Sequence, residues 1–371
     1  MRVLFAGGGT GGHVYPAVAL ADALGARASV RFIGTADRLE SKLVPQAGYE
    51  LRTIQAAPLS RSASLQTLKT AGVNAIGLAQ ALREVRAFSP DLVVATGGYV
   101  CFPVMAAARM LRTARLLHAR LALLEPNAQP GLTNRLLTPM VDEVWGAYDT
   151  SRAFFGKKFV RTGIPVRPSL LRGRNRIEAF RNLGLDPSRK TILAIGGSQG
   201  ARTINEAVAA LVTRRALPDG WQVLHVCGER DYGYMQAEER TPFENNLVSL
   251  RAYLSDMSDA YEVADIAIAR AGASTLGEFA ALGLPSILVP YPYAADDHQL
   301  RNAQVFERAG AAVVIEDRRL DADSLWWVLR DAMQAERLTS MREGARSLGS
   351  RDAVPTILAR IDALVPRKAS A

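Results

Sequence analysis

A run of glycines opens the chain and ends in a histidine, and this combination of residues can do chemistry. Gly7, Gly9 and Gly12 have the spacing GxGxxG between a short apolar strand and a helix, and His13 follows directly. The backbone N–H groups at such a helix N-terminus form an anion site. The same helix end disfavours a charged imidazolium, so a neutral His13 can accept a proton. A packed or capping histidine is the structural alternative.

Glycines alone do not make a dinucleotide site. In dinucleotide-binding folds an acidic residue follows about 20 residues later, at the end of the second strand. Here the second strand ends in the residues RFIGT without an acid at its tip, and Asp37 comes late. The sequence therefore argues against a nicotinamide cofactor.

A second chemical segment runs from Arg270 to Pro292, with the sequence RAGASTLGEFAALGLPSILVPYP. It predicts a strand end, a small-residue turn, a short helix closed by Gly283 and another strand. We expect Glu278 in the first turn of this helix. Its carboxylate either completes a capping box with Thr275 or binds the two hydroxyls of a ribose, and both interpretations stay open.

A polar loop from Pro292 to Ala303 leads into the next helix. It brings Asp297, His298, Gln299 and Asn302 close together in the sequence. Polar side chains of this kind can bind sugar hydroxyls, and a solvated helix start is the alternative.

No segment predicts a convincing metal site. Asp321 and Asp323 have the DxD spacing, but they directly precede the apolar helix pattern SLWWVL. We therefore predict that they cap that helix, and we expect neither a metal ion nor an organic cofactor.

The elements that position these residues follow from the apolar pattern. Strand-like runs alternate with helix-length segments: RVLFAG, ASVRFIG, DLVVATGG, LLHARLALLEP, KTILAIGGSQG, WQVLHVCG, LVSLRAYL, ADIAIARAG, PSILVPYP and AAVVIED. This alternation predicts an α/β fold with parallel sheets covered by helices. A glycine turn follows a strand twice, at Gly7–Gly12 and at Gly196–Ala201. Two doubly wound domains in tandem are expected, as the length of 371 residues also favours.

Proline and arginine residues near position 165 suggest the linker between the domains. The expected domains are residues 1–164 and 165–345. Residues 346–371 are expected to form a helix that packs back on the first domain.

The composition limits the partners. A net charge of +9 and a pI of about 9.8 indicate an acidic partner, which can be nucleic acid, anionic lipid or a phosphorylated substrate. Cys101 and Cys227 are far apart, and we predict two buried thiols. No apolar stretch reaches the roughly 20 residues of a membrane span, and no signal peptide is expected at the amino terminus.

Several motifs together resemble the MurG family of bacterial peptidoglycan enzymes. They are GGGTGGHVYPAVALA, GGSQGARTIN, RAGASTLGEFAALGLPSILVPYP and ADDHQLRNA, in this order. The similarity runs from Arg2 to about Glu316 and includes LESKLVPQAGYEL, TGGYVCFPVMAAA and NAQPGLTNRLL. The resemblance implies the two-domain glycosyltransferase fold GT-B with an interdomain cleft, an inverting mechanism and no obligatory metal ion.

The resemblance implies a UDP-N-acetylglucosamine site in the C-terminal domain. Asn205 and Arg270 also match family positions, with roles that can be structural. The implied donor-binding residues are Arg167, Ser198, Gln199, Gly200, Ala273, Ser274, Thr275, Glu278, His298 and Gln299.

The resemblance places the acceptor, lipid I, on the N-terminal domain. His13 is the first candidate for the catalytic base, and Glu125 is the second. The acceptor residues implied are Gly9, Thr10, Gly11, Gly12, Tyr99 and Asn127. The chain departs from the family at Leu124 and Pro126, where His-Glu-Gln-Asn is usual, and at Cys101-Phe102, where the family has small residues.

The implied reaction transfers N-acetylglucosamine from UDP-N-acetylglucosamine to the muramyl 4-hydroxyl of lipid I, which gives the β-1,4-linked lipid II. A UDP-N-acetylglucosamine epimerase of the same fold and a non-catalytic UDP-sugar-binding scaffold remain alternatives. The expected partners also include an anionic membrane surface and cell-wall synthesis proteins, but not nucleic acid.

We expect peripheral attachment at the cytoplasmic face of the plasma membrane. The segment LSRSASLQTLKTAGVNAIGLAQALREVRAF carries basic residues beside apolar ones. The predicted apolar face consists of Leu65, Leu68, Ile76 and Leu78, near Arg61 and Lys69. A helix that packs its apolar face on the core is the alternative.

Overall fold

The computed structural model describes residues 1–58, 65–197, 200–214, 217–238, 247–349 and 351–366. The chain forms two compact units. Unit 1 contains Met1–Arg167 and the segment that begins at Asp352, and unit 2 contains Pro168–Arg351.

Unit 1 is a seven-stranded parallel sheet with the strand order β3-β2-β1-β4-β5-β6-β7. The strands are β1 Arg2–Gly7, β2 Ser29–Gly34, β3 Glu50–Thr53, β4 Leu92–Gly97, β5 Arg120–Glu125, β6 Glu143–Gly146 and β7 Phe159–Arg161. The helices are α1 Gly11–Leu24, α2 Glu40–Gln46, α3 Leu65–Phe88, α4 Cys101–Thr113, α5 Leu132–Leu137, α6 Arg152–Phe155 and the last helix of the chain, Ala353–Leu364.

Unit 2 is a six-stranded parallel sheet with the order β10-β9-β8-β11-β12-β13. Its strands are β8 Lys190–Ile195, β9 Trp221–Val226, β10 Val248–Arg251, β11 Ala264–Ala269, β12 Ser286–Leu288 and β13 Ala312–Val314. Its helices are α7 Pro168–Leu171, α8 Arg176–Leu183, α9 Arg202–Arg214, α10 Tyr232–Glu238, α11 Ser258–Val263, α12 Ala273–Leu282, α13 His298–Arg308, α14 Ala322–Ala332 and α15 Ala335–Ser347. The last helix of unit 1 is therefore α16.

The apolar runs become central strands because both faces of each sheet are covered. The residues of β1 from Val3 to Ala6 are fully buried, and so are Ile192 to Ala194 in β8. Near-continuous apolar runs of this kind are typical of parallel sheets with helices on both sides.

Each sheet reverses its winding beside its first strand. In unit 1, β1 lies between β2 and β4, and in unit 2, β8 lies between β9 and β11. Ligands of open α/β sheets bind beyond the carboxyl ends of the strands at such a switch point. Both glycine turns leave the sheet there, because they follow β1 and β8.

The helix α16 packs on α1, although more than 300 residues separate them in the sequence. Ile357 and Ile361 are fully buried in the apolar cluster that covers one face of the first sheet. Asp362 also accepts a hydrogen bond of 2.7 Å from Arg27, in the short 3₁₀ turn after α1. The carboxyl end of the chain thus completes the core of unit 1.

Both cysteines are buried thiols, as predicted. Burial raises the pKa of the Cys101 thiol to about 12. Among the residues that the structure describes, no helix is long and apolar enough to cross a membrane.

Candidate active site

The first glycine loop connects β1 to α1 and lies at the switch point of unit 1. A Cβ on Gly7 would lie 2.0 Å from Oγ1 of Thr96, so only glycine fits there. Thr10 is the N-cap residue of α1, and the backbone N–H groups of Gly11 and Gly12 point out of the first turn, where the helix offers them no partner. The predicted anion site thus has two backbone donors at this helix end.

His13 lies in the first turn of α1 and contacts the loop that precedes it. Its Nδ1 lies 2.8 Å from the carbonyl oxygen of Gly8. Because a carbonyl oxygen only accepts, Nδ1 donates the hydrogen, and the lone pair of the neutral ring is on Nε2. The ring packs against Gly97, where a Cβ would lie 2.5 Å from Cδ2. His13 does not cap the helix, since the α1 N-terminus has no side-chain cap, and its tautomer suits a base that accepts a proton at Nε2.

Glu40 is part of this site, and the sequence reasoning missed it. Its fully buried carboxylate accepts hydrogen bonds from the Gly9 N–H at 2.8 Å and from the Thr35 N–H at 2.9 Å. A Cβ on Gly8 would lie 2.1 Å from its Oε1. Its place in the motif LESKLVPQAGYEL is the signal in the sequence that points to Glu40. The Gly9 N–H is committed to Glu40, so it does not serve the acceptor as a donor.

The position of Glu40 also bears on the dinucleotide site that the sequence argued against. An acid does stand beyond the end of β2, but it comes from α2 and faces the glycine loop. In a dinucleotide-binding fold an acid at this end of the sheet binds ribose hydroxyls. Here the Glu40 carboxylate instead accepts hydrogen bonds from the protein's own backbone N–H groups.

Glu125 ends β5 and is fully buried. Its Oε1 accepts from the backbone N–H of Asn127 at 2.9 Å, and its Oε2 accepts from Nδ2 of Asn134 at 2.8 Å. Burial raises the pKa of this carboxyl to about 7, although the hydrogen bonds from the amides oppose the shift. The geometry makes Glu125 a brace of the loop between β5 and α5. Leu124 beside it lies in the apolar core.

The other predicted acceptor residues lie around the same end of the sheet. Thr10 is exposed, and its Oγ1 lies 3.4 Å from Nδ1 of His13. Tyr99, in the loop after β4, lies close enough to Arg38 to raise the pKa of its guanidinium. Asn127 donates to Glu125, so it contributes to the brace just described.

Arg167 ends the continuous part of unit 1 and lies near the first loop. Its guanidinium carbon stands 5.2 Å from the ring centre of Tyr15, two residues after His13. The Tyr15 ring in turn contacts Gly11, where a Cβ would lie 2.9 Å from the ring. The donor role predicted for Arg167 stays a prediction.

The second glycine loop connects β8 to α9 in unit 2. Ser198 and Gln199 lie outside the described residues. Gly200 has a φ of +74°, and a Cβ there would lie 2.3 Å from the carbonyl oxygen of Cys227. The backbone therefore approaches the end of β9 so closely that this position needs glycine.

Arg270 ties the surroundings of the second loop together. It forms an ion pair of 2.5 Å with Asp317, and it donates to Oγ1 of Thr203 in α9 at 2.9 Å. The Thr203 hydroxyl donates to the same carboxylate at 2.6 Å. Arg270 thus joins the end of β11 to the first turn of α9.

Asn205 has a structural role of the same kind. It is fully buried, donates to the carbonyl oxygen of Cys227 at 2.8 Å, and donates to Asp231 at 3.0 Å. Its Oδ1 accepts from His225 at 3.1 Å. The Arg230 guanidinium holds the pKa of the Asp231 carboxyl below its usual value.

The expected place of Glu278 in the first turn is wrong, and of the two interpretations left open for this residue the capping box with Thr275 is excluded. The helix α12 begins at Ala273 with Gly272 as its N-cap, so Glu278 is in the second turn and not in the first. Thr275 lies inside the first turn and caps nothing. The half-buried carboxylate of Glu278 accepts a hydrogen bond of 2.5 Å from the Tyr261 hydroxyl.

The first turn of α12 presents backbone donors. The N–H groups of Ala273, Ser274 and Thr275 precede the first intrahelical bond, which Leu276 donates to Gly272 at 3.0 Å. Such groups can hold a phosphate.

The polar loop before α13 is tightly folded. Asp296 and Asp297 both have positive φ angles, of 53° and 51°, which non-glycine residues seldom adopt. His298 contacts the carbonyl oxygen of Ala295 at 2.8 Å, and Gln299 accepts from the Tyr291 N–H at 3.0 Å.

Asn302 does not belong to a solvated helix start. It is fully buried and donates to the carbonyl oxygen of Ala271, just before α12. It therefore links the two candidate donor segments, whereas Gln299 and His298 remain partly exposed.

Asp321 caps α14, as predicted, whereas Asp323 lies inside the first turn of that helix. Its carboxylate accepts from the Ser324 N–H at 2.7 Å, and the Ser324 hydroxyl accepts from the Asp321 N–H. The described part of the chain contains no group of three or more His, Cys, Asp or Glu residues placed to hold a metal ion.

Two parallel α/β units, each with a glycine loop at its switch point, define a glycosyltransferase-like architecture of the GT-B class. Comparison with known protein families also indicates a glycosyltransferase. Residues 3–145 match the glycosyltransferase family 28 N-terminal domain, and residues 191–357 match the C-terminal domain of that family.

Full-length relatives refine this assignment. The chain is 42% identical to the UDP-N-acetylglucosamine–N-acetylmuramyl-(pentapeptide) pyrophosphoryl-undecaprenol N-acetylglucosamine transferase of Caldanaerobacter subterraneus subsp. tengcongensis, over 95% of this chain and 97% of the relative. It is 37% identical to the protein of the same name from Desulforamulus reducens, over 99% and 100%. The crystal structure of Acinetobacter baumannii MurG matches with a TM-score of 0.76 and 26% identity, over 98% and 99%. The chain belongs to glycosyltransferase family 28 and, within it, to the MurG family.

Proposed function

We propose that the chain transfers N-acetylglucosamine from UDP-N-acetylglucosamine to the muramyl 4-hydroxyl of lipid I, with inversion, and so forms lipid II. The observation that carries this proposal is the full-length similarity, at 37–42% identity, to curated transferases named for this reaction. An epimerase or a scaffold is not favoured by any of these relatives.

The donor is assigned to unit 2. The N–H groups in the first turn of α12, with the second glycine loop, are suited to the diphosphate of UDP. The partly exposed carboxylate of Glu278 is suited to ribose hydroxyls, and Gln299 with His298 to the hydroxyls of the sugar. These assignments rest on the motifs and on the donors and acceptors that each side chain can offer.

The acceptor and the base are assigned to unit 1. The 4-hydroxyl oxygen forms the new bond to the anomeric carbon while the bond from that carbon to UDP breaks. The hydroxyl proton moves to Nε2 of His13, and the electron pair leaves with the diphosphate. Backbone N–H groups at helix N-termini stabilise the negative charge that develops on the leaving group. Glu125 is the weaker candidate for the base, because amide groups already bind both of its oxygens.

Attachment to an anionic membrane surface at the cytoplasmic face is also part of the proposal. Ile76 on α3 and Met110 on α4 are half exposed, and these two helices pack side by side in unit 1. Two exposed arginines suit anionic lipid: Arg109 directly precedes Met110, and Arg115 lies just beyond the end of α4. Leu78 does not join this face, because it packs against the core. The side chains of Arg61, Leu65, Leu68 and Lys69 lie outside the described residues.

Membrane attachment of this kind is salt-sensitive. We expect sedimentation with anionic vesicles at low salt, loss of binding at high salt and little binding to neutral vesicles. Equal sedimentation with both kinds of vesicle at low salt would contradict the assignment. Interactions with other cell-wall synthesis proteins remain a prediction.

The decisive test of the activity is transfer of labelled sugar from UDP-N-acetylglucosamine to a lipid I analogue. We expect labelled lipid II only when both substrates are present, and we expect transfer to persist in excess chelator. A labelled epimer formed without lipid I would identify an epimerase. UDP binding without any product would identify a scaffold, and activity that chelator abolishes and a divalent ion restores would reject the metal-free mechanism.

A further inference from the structure

The peptide group between Gly8 and Gly9 is hydrogen-bonded on both sides by side chains. Nδ1 of His13 lies 2.8 Å from the oxygen of this peptide group. Its N–H, which belongs to Gly9, donates to Oε2 of Glu40 at 2.8 Å. A carboxylate, a peptide group and an imidazole therefore form one continuous chain of hydrogen bonds.

We propose that Glu40 is a positioning residue for His13 and acts on it through this peptide group. The inference rests on the proposed function, in which His13 is the base. In serine hydrolases a carboxylate bonds directly to the imidazole, fixes its tautomer and stabilises the imidazolium that forms. Here a peptide group stands between the two, and the same effects pass through its polarised N–H and C=O groups.

The carboxylate is held firmly enough to do this. Its other oxygen, Oε1, accepts from the Thr35 N–H at 2.9 Å and from the Thr35 hydroxyl at 2.7 Å. Both oxygens accept, which is the pattern of an ionised carboxylate. Among the described residues no ion pair includes Glu40, and its side chain is fully buried. Its charge is therefore poorly screened by water and can act on His13.

Close packing keeps the three groups aligned. Glycines surround the bridging peptide, and a Cβ on Gly98 would lie 2.5 Å from the oxygen of Gly8. On the other side, a Cβ on Gly8 would overlap the carboxylate of Glu40. Gly9 has a φ of +89°, which side-chain-bearing residues rarely adopt.

The test is Glu40→Gln, which keeps the shape of the side chain and an oxygen for the Gly9 N–H but removes the charge. The chain has only four histidines, so the ring nitrogens of His13 can be followed by nitrogen-15 NMR and assigned with a His13→Ala sample. We expect the wild type to carry its proton on Nδ1. In Glu40→Gln we expect the His13 titration midpoint to fall by about one pH unit, because a nearby negative charge favours the imidazolium.

Kinetics give a second readout. We expect kcat at saturating substrates to fall about 10-fold, less than the loss of the base itself would cause, with the KM for UDP-N-acetylglucosamine unchanged. The acidic limb of the pH profile of kcat should shift to lower pH with the NMR midpoint. Glu40→Gln does not alter the other charged or titratable side chains near the loop. These are Tyr15, Asp37, Arg38, Tyr99, Cys101 and Arg167.

The control is Glu143→Gln, which removes another mostly buried carboxylate of unit 1, one that binds Arg360 and Trp145. We expect it to leave the His13 titration in place. An unchanged midpoint in Glu40→Gln, with turnover still lost in His13→Ala, would overturn the role of Glu40 and leave the proposed function intact. Turnover retained in His13→Ala would instead overturn the base assignment. If Glu40→Gln does not fold, the wild-type spectrum decides, because a proton on Nε2 contradicts the proposal.

Discussion

The two glycine loops follow the first strand of their own sheets, yet a carboxylate binds the first loop directly, whereas an ion pair lies beside the second. The loop of unit 1 is held by the buried carboxylate of Glu40, which binds its backbone directly. In unit 2 the cation of Arg270, paired with Asp317, holds the helix that follows the loop. The backbone motif is the same in both units, and the side chains beside it differ.

This difference teaches that a glycine loop alone does not define a ligand. A buried carboxylate favours the protonated form of a nearby imidazole. In unit 2 the Asp317 carboxylate, which accepts from Thr203 in the first turn of α9, is paired with Arg270, so this helix end stays suited to a diphosphate. The first loop is therefore suited to proton transfer and the second to the leaving group, and the following experiments test that contrast.

The largest expected effect is on turnover in His13→Ala. We expect a loss of about 100- to 10,000-fold, the usual contribution of a general base, with UDP affinity unchanged because the donor is assigned to unit 2. The measurement compares turnover at saturating lipid I analogue, UDP affinity and melting temperature. His118→Ala, which removes an exposed histidine of the same unit, is the matched control. Near wild-type turnover in a folded His13→Ala protein would transfer the base assignment to Glu125.

In unit 2 the contrast predicts a stability effect for Arg270→Ala. The Arg270 and Asp317 side chains are only 12% and 15% exposed, so the substitution leaves a nearly buried carboxylate without its cation. We expect the free energy of unfolding to fall by about 3–5 kcal/mol, measured by urea denaturation. Arg318→Ala breaks the exposed pair with Glu316 and should cost less than about 1 kcal/mol. Equal losses in both variants would show that Arg270 does not brace the second loop.

The buried acid of unit 1 predicts a pH dependence of stability. The pKa of Glu125 is raised from 4.5 to about 7, so the folded protein binds more protons than the unfolded chain between these values. The free energy of unfolding should therefore fall as pH rises through this window, by at most about 3 kcal/mol, and should level off above it. Denaturation at pH 4.5 to 8 measures the slope. Glu125→Gln should abolish this contribution, and an identical slope in the variant would refute the assignment.

The smallest expected effect concerns the donor. Glu278→Ala should weaken UDP binding by roughly 1.5–3 kcal/mol, the range for a hydrogen bond to a charged group. Calorimetry measures the affinity. Tyr261→Phe keeps the carboxylate but removes its hydroxyl partner, so it should weaken binding less. Unchanged UDP affinity in a folded Glu278→Ala protein would overturn the ribose-binding role of Glu278.

The strands of unit 2 could be predicted better than those of unit 1. Each apolar run assigned to unit 2 contains one of the strands β8 to β13. In unit 1 the runs predicted β1, β2, β4 and β5, but they missed β3, β6 and β7. These three strands have only three or four residues, and β3 is largely exposed. Their sequences are too short to show a pattern, and they become strands because β2, β5 and β6 offer them backbone partners.

The sequence by itself determined the α/β class, the two glycine turns, the family and the position of His13, because each depends on residues that are close together in the chain. Only the tertiary structure placed Glu40 against Gly9, which lies 31 residues earlier, and buried Glu125 among the amides of its loop. The structure also showed that α12 begins at Ala273, so Glu278 lies in its second turn and not in its first. Hydrogen bonding and burial depend on which distant segments pack together, and the local pattern around an acidic residue does not contain that information.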